Sequence, residues 1–400
     1  MEFKSLDEEM RQLLAFLRER EGDLKREPMV VVSPYRICPL GAHIDHQGGP
    51  VLGMTINAGS ILAFVPSETP DVRLHSTNYS STVEFDFGDL ENSVPKGWGR
   101  YAKGAAKVLN AVSPLRKGLV GVVSGVLPEG GLSSSASVGL AYLYALAQIN
   151  GIDCPESQFV ELDRQLENDY LGLKNGILDP ASIVHGKEGT LVHINTRDGS
   201  VAALPMSEKA SGFRILIAHS GVPRNLTKGT GYNNRVTECQ EAASWLGERA
   251  GIENASILSD VPADVFEKWG ADMRREPRLR ALHFYSEVER VEAGIRAWES
   301  GDWAAFGELM NASCRSSLEN YECGCPELEA LHEIISSADG VYGSRFSGAG
   351  FGGCVVALVN EGFRCDAVDA LQAEYVRRFP ELEGRVRVYL SDSDHGLRFQ

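Results

Sequence analysis

From Leu6 to Leu17 the apolar residues Leu6, Met10, Leu13, Leu14 and Leu17 recur every three or four positions, the spacing of one helical face. Ser5 with Glu8 makes a capping box ahead of them. Charged residues fill the other face, so the segment predicts an amphipathic helix and not a secretion signal. From there to about residue 90 β-branched runs dominate (MVVVS, VLGMTI, ILAFV, VEFDF), which predicts strands. A helical stretch, WGRYAKGAAKVL, and the strand-like GLVGVVSGV follow. ASVGLAYLYALAQI and SQFVELDRQLENDYLGL read as helices, and TLVHI as a strand.

Near residues 198–212 the text turns polar and small (DGSVAALPMSEKASG), and the domain boundary is placed there, giving units 1–209 and 210–400. The second unit opens with the strand FRILIAHS, runs through helices to about 338, and ends with the strands CVVALV and VRVYL around one more helix. Helices and strands are mixed without strict βα alternation, so the expected class is α+β in two domains. No internal repeat or low-complexity segment is visible.

Composition narrows the partners. The formal net charge is −16, from 39 basic and 55 acidic residues, which leaves no basic excess to displace counterions from nucleic acid. No apolar run approaches the length of a membrane span. Among the eight cysteines only Cys323 and Cys325 sit close together, and no second CxC or CxxC completes a zinc site. They are expected to be reduced core thiols in a cytoplasmic chain, monomeric or homodimeric.

Three segments carry candidate chemistry. In PEGGLSSSASVGLAYLYALAQI, Gly130 and Gly131 permit a tight turn, three serines supply hydroxyls, and an apolar helix starts directly after them. Such a helix N-terminus suits phosphate, although no Lys-Ser or Lys-Thr makes this a Walker A loop. The plain alternative is a serine-capped buried helix. In FSGAGFGGCVVALV, Gly348, Gly350 and Gly353 satisfy GxGxxG, but a strand follows where a dinucleotide fingerprint needs a helix. A turn closing over a second loop is the functional alternative to a plain hairpin. In ENDYLGLKNGILDPAS, Asp179 sits between apolar residues and a proline, as a helix cap or as a working carboxylate. Glu167 lies twelve residues upstream, either facing a metal or on a solvated helix face.

A fourth segment, LGAHIDHQGG, collects two histidines and an aspartate. No HxH or HExxH partner set accompanies it, so a zinc site fits poorly. A clamp for a hydroxyl-rich ligand suits Asp45 and His43 better, because both meet hydroxyl groups.

Together these segments resemble one family. PYRICPLGAHIDHQGGPVLG is similar to the sugar-binding signature of galactokinases, PEGGLSSSAS to the phosphate loop of the GHMP kinase superfamily, and GSRFSGAGFGGC to its third motif. GILDPAS matches the segment bearing that family's catalytic aspartate, and all occur in family order from about residue 29 to 390. The resemblance implies a two-domain GHMP kinase fold with the active site in the cleft between domains, using ATP and Mg2+. It implies that Asp179 deprotonates or orients the anomeric hydroxyl and that Arg36 stabilises charge on the transferring phosphoryl group. Gly130, Gly131, Leu132, Ser133, Ser134 and Ser135 would wrap the nucleotide phosphates, with Ser135 and Glu167 as magnesium ligands. Ala42, His43, Asp45, Gly176 and Tyr232 would line the sugar pocket.

Galactokinases carry glutamate where this chain has Ala42, and that glutamate faces the C6 hydroxyl of the sugar. Alanine removes a hydrogen bond and a negative charge, which suits a C6 carboxylate or a pentose without C6. The wording of ENDYLGLKNGILD, ENYECG and VYGSRFSGAGFGG resembles the plant-type galacturonokinases more than ordinary galactokinases. This implies phosphorylation of D-galacturonate at C1, with Arg224 and Lys228 as candidate partners of the carboxylate. A galactokinase or L-arabinokinase of the same superfamily, or a catalytically silent sugar and ATP sensor, are the alternatives.

Overall fold

The structure, a computed structural model, describes residues 4–400 except 23, 25, 92–96, 128, 129, 174, 209, 223–229, 349 and 351, and at 230 and 232 the backbone alone. The opening amphipathic segment forms α1 (Leu6–Glu21). Ser5 caps it by accepting from the Glu8 amide, and Leu13 and Leu17 turn inward. Two long strands follow, β1 (Met29–Leu40) and β2 (Pro50–Pro66). VLGMTI and ILAFV, separate runs in the sequence, lie in this single strand β2. The polar Asn57 between them is accommodated because its side-chain oxygen accepts from Ser391 Oγ at 2.7 Å and from the Asp392 amide at 3.1 Å.

The remaining strands are β3 (Asp71–Ser76), β4 (Val83–Asp86), β5 (Leu119–Gly125), β6 (Thr190–Asn195), β7 (Val201–Pro205), β8 (Phe213–His219), β9 (Val341–Ser347), β10 (Cys354–Asn360), β11 (Arg387–Ser391) and β12 (Arg398–Phe399). Among the described residues they form two sheets. The larger has the order β12-β1-β2-β5-β3-β4, with β6 pairing the start of β2 and β7 pairing β6. The smaller is antiparallel throughout, in the order β11-β8-β10-β9. The last strand, β12, returns the chain to β1 of the larger sheet.

Helices α2 (Gly99–Val112), α3 (Ser134–Asn150), α4 (Glu156–Gln165) and α5 (Leu178–His185) accompany the larger sheet. Helices α6 (Thr230–Ala250), α7 (Ala263–Trp269), α8 (Arg275–Ser300), α9 (Trp303–Glu319), α10 (Pro326–Ser336) and α11 (Cys365–Arg378) belong to the second half of the chain. The architecture is mixed α+β, as the ordering of elements predicts.

Two local features position the site. The apolar α3 is buried around most of its circumference. Ser137 fixes it to the sheet, donating to the Ser33 carbonyl at 2.7 Å and accepting from the Ser60 amide at 3.2 Å. The predicted long helix after residue 157 is divided: α4 ends at Gln165, and Leu166–Tyr170 form a π-helical turn. Such turns rotate the side chains they carry relative to the preceding helix. Glu167 lies within this one.

Candidate active site

Arg36 on β1 is the hub. Its Nε donates to Asp179 Oδ1 at 2.7 Å, and its Nη1 donates to the Gly131 carbonyl at 3.0 Å. The pair is largely withdrawn from water, with 5% and 18% of the two side chains exposed. Burial opposes the guanidinium charge, but Asp179 outweighs it and holds the Arg36 pKa above its ordinary value. Asp179 does not cap a helix. It lies in the first turn of α5, and its second oxygen accepts from the Ser133 hydroxyl.

That bond also decides the role of Ser133, which sits in the left-handed region at φ 57° and makes no side-chain cap on α3. The serine-capped reading of the loop is therefore set aside. Gly130 and Gly131 have φ of 124° and 87°, conformations that disfavour other residues. A methyl on Gly131 would also come within 2.7 Å of the Ser347 carbonyl and 2.8 Å of Cys354 Sγ. The glycines of the third motif supply the facing surface. A methyl on Gly348 would lie 2.9 Å from Gly131 Cα, and one on Gly353 would lie 3.4 Å from Gly130. Ser347 Oγ donates to the Gly131 carbonyl at 2.6 Å. Gly348 and Gly353 thus lie against the serine loop, the functional alternative to a plain hairpin.

Glu167 is buried. Its Oε2 accepts from Asn175 Nδ2 at 2.8 Å, while Oε1 has no hydrogen-bond partner among the described residues. Burial and the charge of Asp179 raise its pKa, against the opposing pull of Asn175 and Ser135. A buried carboxylate oxygen without a donor, beside a serine hydroxyl at a helix start, suits a hard cation that also takes phosphate oxygens. No three His, Cys, Asp or Glu side chains among the described residues form a metal cage on their own.

The HIDH segment forms a tight loop after β1. His43 adopts φ 63°, and its ring stacks on Tyr321 with centroids 4.6 Å apart and planes inclined by 10°. Its Nε2 lies 3.3 Å from Cys323 Sγ, and His46 Nε2 lies 3.0 Å from the Tyr321 hydroxyl. Burial pushes the pKa of His43 well down, and that of His46 down to about 4, so both rings are neutral at pH 7. Asp45 meets Gly176, where any side chain would collide with its carboxylate. Burial, followed by the charge of Asp179, pushes the Asp45 pKa up to about 6.

Ala42 is only 7% exposed. Its carbonyl accepts from His283 on α8 at 2.9 Å. The structure therefore brings Arg36, Asp179, the serine loop, Glu167, Asp45 and Gly176 together. The side chain of Tyr232, and Arg224 and Lys228 in full, lie outside the described residues.

Sequence reading missed two parts of this region. Tyr321 and Cys323, from ENYECG, form the wall behind His43. A cavity of about 560 Å³ opens beside the start of α3, lined by Tyr35, Tyr79, Trp98, Ser134, Ser135 and Tyr142 among others. Tyr79 and Trp98 lie nearly parallel within it, with centroids 6.4 Å apart.

Comparison with known proteins gives the family and the fold. The GHMP kinases N terminal domain matches residues 100–187, and the GHMP kinases C terminal region matches 292–377. A galacturonokinase of Arabidopsis thaliana is 42% identical over 94% of this chain and 93% of its own. A galactokinase of Lactococcus lactis subsp. lactis is 32% identical over 91% of this chain and 90% of its own. The crystal structure of Lactococcus lactis galactokinase complexed with galactose superposes with a TM-score of 0.87 at 30% identity, covering 97% of this chain and 99% of that one. Methanococcus jannaschii mevalonate kinase, at 17% identity and a TM-score of 0.65, shares the fold over 92% of this chain and 99% of its own. With both of its halves matched and these relatives aligned along nearly its whole length, the chain belongs to the GHMP kinases, as a galactokinase-like sugar kinase.

Proposed function

We propose that the protein transfers the γ-phosphoryl group of ATP to the C1 hydroxyl of D-galacturonate, giving galacturonate 1-phosphate. The observation that carries the choice of sugar is Ala42, at the position where galactokinases present a glutamate to C6. A glutamate about 4 Å from a uronate carboxylate would repel it by roughly 4 kcal/mol at an effective dielectric of 20. The higher identity to a galacturonokinase, 42% against about 32% for the galactokinases, supports the same reading.

The chain's own groups divide the work. Asp179, held on one oxygen by Arg36 and on the other by Ser133, receives or orients the proton of the anomeric hydroxyl. Arg36 offsets charge on the transferring group, and its second bond fixes it to the nucleotide loop. The amides from Gly130 to Ser135, with the hydroxyls of Ser134 and Ser135, hold the phosphates at the N-terminus of α3. Glu167 and Ser135 hold Mg2+, which when bound neutralises phosphate charge. The cavity containing Tyr79 and Trp98 takes the base. His43, Asp45, Gly176 and Tyr232 line the sugar side, and Arg224 and Lys228 are proposed to meet the carboxylate.

An ADP-release assay with ATP and Mg2+, comparing D-galacturonate, D-galactose, L-arabinose and D-glucuronate, tests the proposal. Strong preference for galacturonate supports it. Equal or better turnover of galactose or arabinose removes the uronate and leaves the sugar-1-kinase.

A further inference from the structure

Helices α3 and α4 run antiparallel, so positions pair across them. Ser135 stands beside Glu167. One turn deeper, Gly139 faces Asp163, where a methyl on the glycine would come within 2.6 Å of Asp163 Oδ1. The missing side chain at 139 thus makes room for a carboxyl group in the helix interface.

Asp163 is 0% exposed, and among the described residues neither of its oxygens has a hydrogen-bond partner. Glu167 Oε1 shares that condition, so three buried carboxylate oxygens occur within one helical turn without a donor on any of them. A core packed for stability alone does not retain this arrangement. A buried polar group without a partner costs about 1–3 kcal/mol, and an ionised one considerably more. Asp163 also feels the charges of Glu167 and Asp179, which together with burial raise its pKa well above the ordinary carboxylate range. The π-helical turn starting at Leu166 then sets the direction of Glu167 relative to Asp163. Among the described residues the interface lacks a donor or a positive charge at the end nearest the phosphate loop.

We propose that Asp163 is a second acidic group of the divalent-cation site, acting beside Glu167 and Ser135 from one turn deeper in the α3–α4 interface. Mg2+ keeps several waters and is commonly held by one or two carboxylates with substrate phosphates. A deeper carboxylate can therefore act through a cation-bound water and fix the orientation of Glu167. This rests on the nucleotide-dependent kinase reading of Glu167 and is independent of which sugar is used.

The test is Mn2+ binding to the full chain with ADP present, followed by the electron paramagnetic resonance signal of free Mn2+. Thermal midpoints without cation accompany it. Asp163→Asn and Asp163→Ala are each expected to weaken Mn2+ binding by roughly tenfold or more. Without cation, Asp163→Ala is expected to melt as high as the parent or higher, because an unpartnered buried acid is gone. Unchanged Mn2+ affinity in both variants, with Glu167→Gln weakening it, overturns the proposal and leaves Asp163 as a structural acid. Unchanged affinity in Glu167→Gln as well overturns the cation assignment on which it rests. The isosteric Asp163→Asn keeps the test decisive if the alanine variant does not fold.

Discussion

The imidazole of His283 donates through Nε2 to the carbonyl of Ala42 at 2.9 Å. That bond fixes the tautomer, since a carbonyl only accepts. One turn along α8, Glu287 Oε1 accepts from the Gly41 amide at 2.8 Å, and its Oε2 accepts from Arg290 at 2.6 Å. Two consecutive residues at the entrance of the HIDH loop are thus held by one helix face. A new side chain at position 42 is built on a fixed backbone.

Ala42→Glu should act on the substrate, and because position 42 is only 7% exposed a thermal midpoint measured beside it separates any cost to the fold. The repulsion of roughly 4 kcal/mol estimated for a carboxylate pair sets an upper bound of about a thousandfold loss in kcat/KM for galacturonate. Galactose, which offers a C6 hydroxyl, should lose little or gain. The ratio of the two kcat/KM values, measured on one preparation, reports the effect; an equal change for both sugars argues against a C6 role for this position.

Arg36→Lys keeps the charge and loses the fork. A single ammonium cannot reproduce donation to both Asp179 and the Gly131 carbonyl. The expected result is a fall in kcat of roughly a hundredfold, in the range that positioned acid–base groups contribute, with a raised KM for ATP. Asp179→Asn should lower kcat at least as far while nucleotide binding persists. Retention of full turnover in either variant would remove this pair from the chemistry.

Trp98 extends toward Tyr79 in the cavity beside α3, and its indole Nε1 donates to Ser81 Oγ at 3.0 Å. If the base stacks here, Trp98→Ala forfeits about 1–3 kcal/mol of stacking, or roughly a tenfold rise in the KM for ATP. The KM for the sugar should hold steady. A matching rise in both constants would indicate general damage to the domain and not a base pocket.

How much of this was legible in the sequence depended on whether the partner was local. Asp179 and the serine loop could be named because each lies in a short motif whose residue types suggest its chemistry, whereas Arg36 could be named only through the resemblance to a family. Their mutual bonds could not be named, since β1, α3 and α5 meet only in the folded chain, where Ser137 helps to fix α3 on the sheet. Tyr321 and Cys323 were visible as letters in ENYECG, yet nothing nearby in sequence indicates that they back His43, 280 positions away from Cys323. Tyr79 lies in polar, irregular text and Trp98 at the very start of a helical stretch, and neither place marks a cavity. Asp163 drew no reading of its own in the sequence, because its burial depends on the absence of a side chain at Gly139 on another helix.

The last prediction concerns acid stability. Burial lowers the pKa of His46, His219, His283 and His332 to about 4, and that of His43 well below its ordinary 6.5. Each depressed imidazole binds a proton in the unfolded chain near pH 6.5 but not in the folded one. Between those values the unfolded state takes up more protons, and stability falls as the pH falls, by on the order of 3 kcal/mol for a ring shifted that far. Asp45, raised to about 6, works in the opposite sense: its contribution is present at low pH and lost as the pH rises through 6. The raised carboxyl groups of Asp163 and Glu167 share that sign. The histidines are more numerous, so the thermal midpoint should decline steadily from pH 6.5 toward 4.5. His283→Gln removes one titrating ring and should flatten the decline, whereas Asp45→Asn removes a compensating group and should steepen it. Midpoints at half-unit pH intervals for the three proteins check both signs, and a midpoint independent of pH in the parent chain rules the account out.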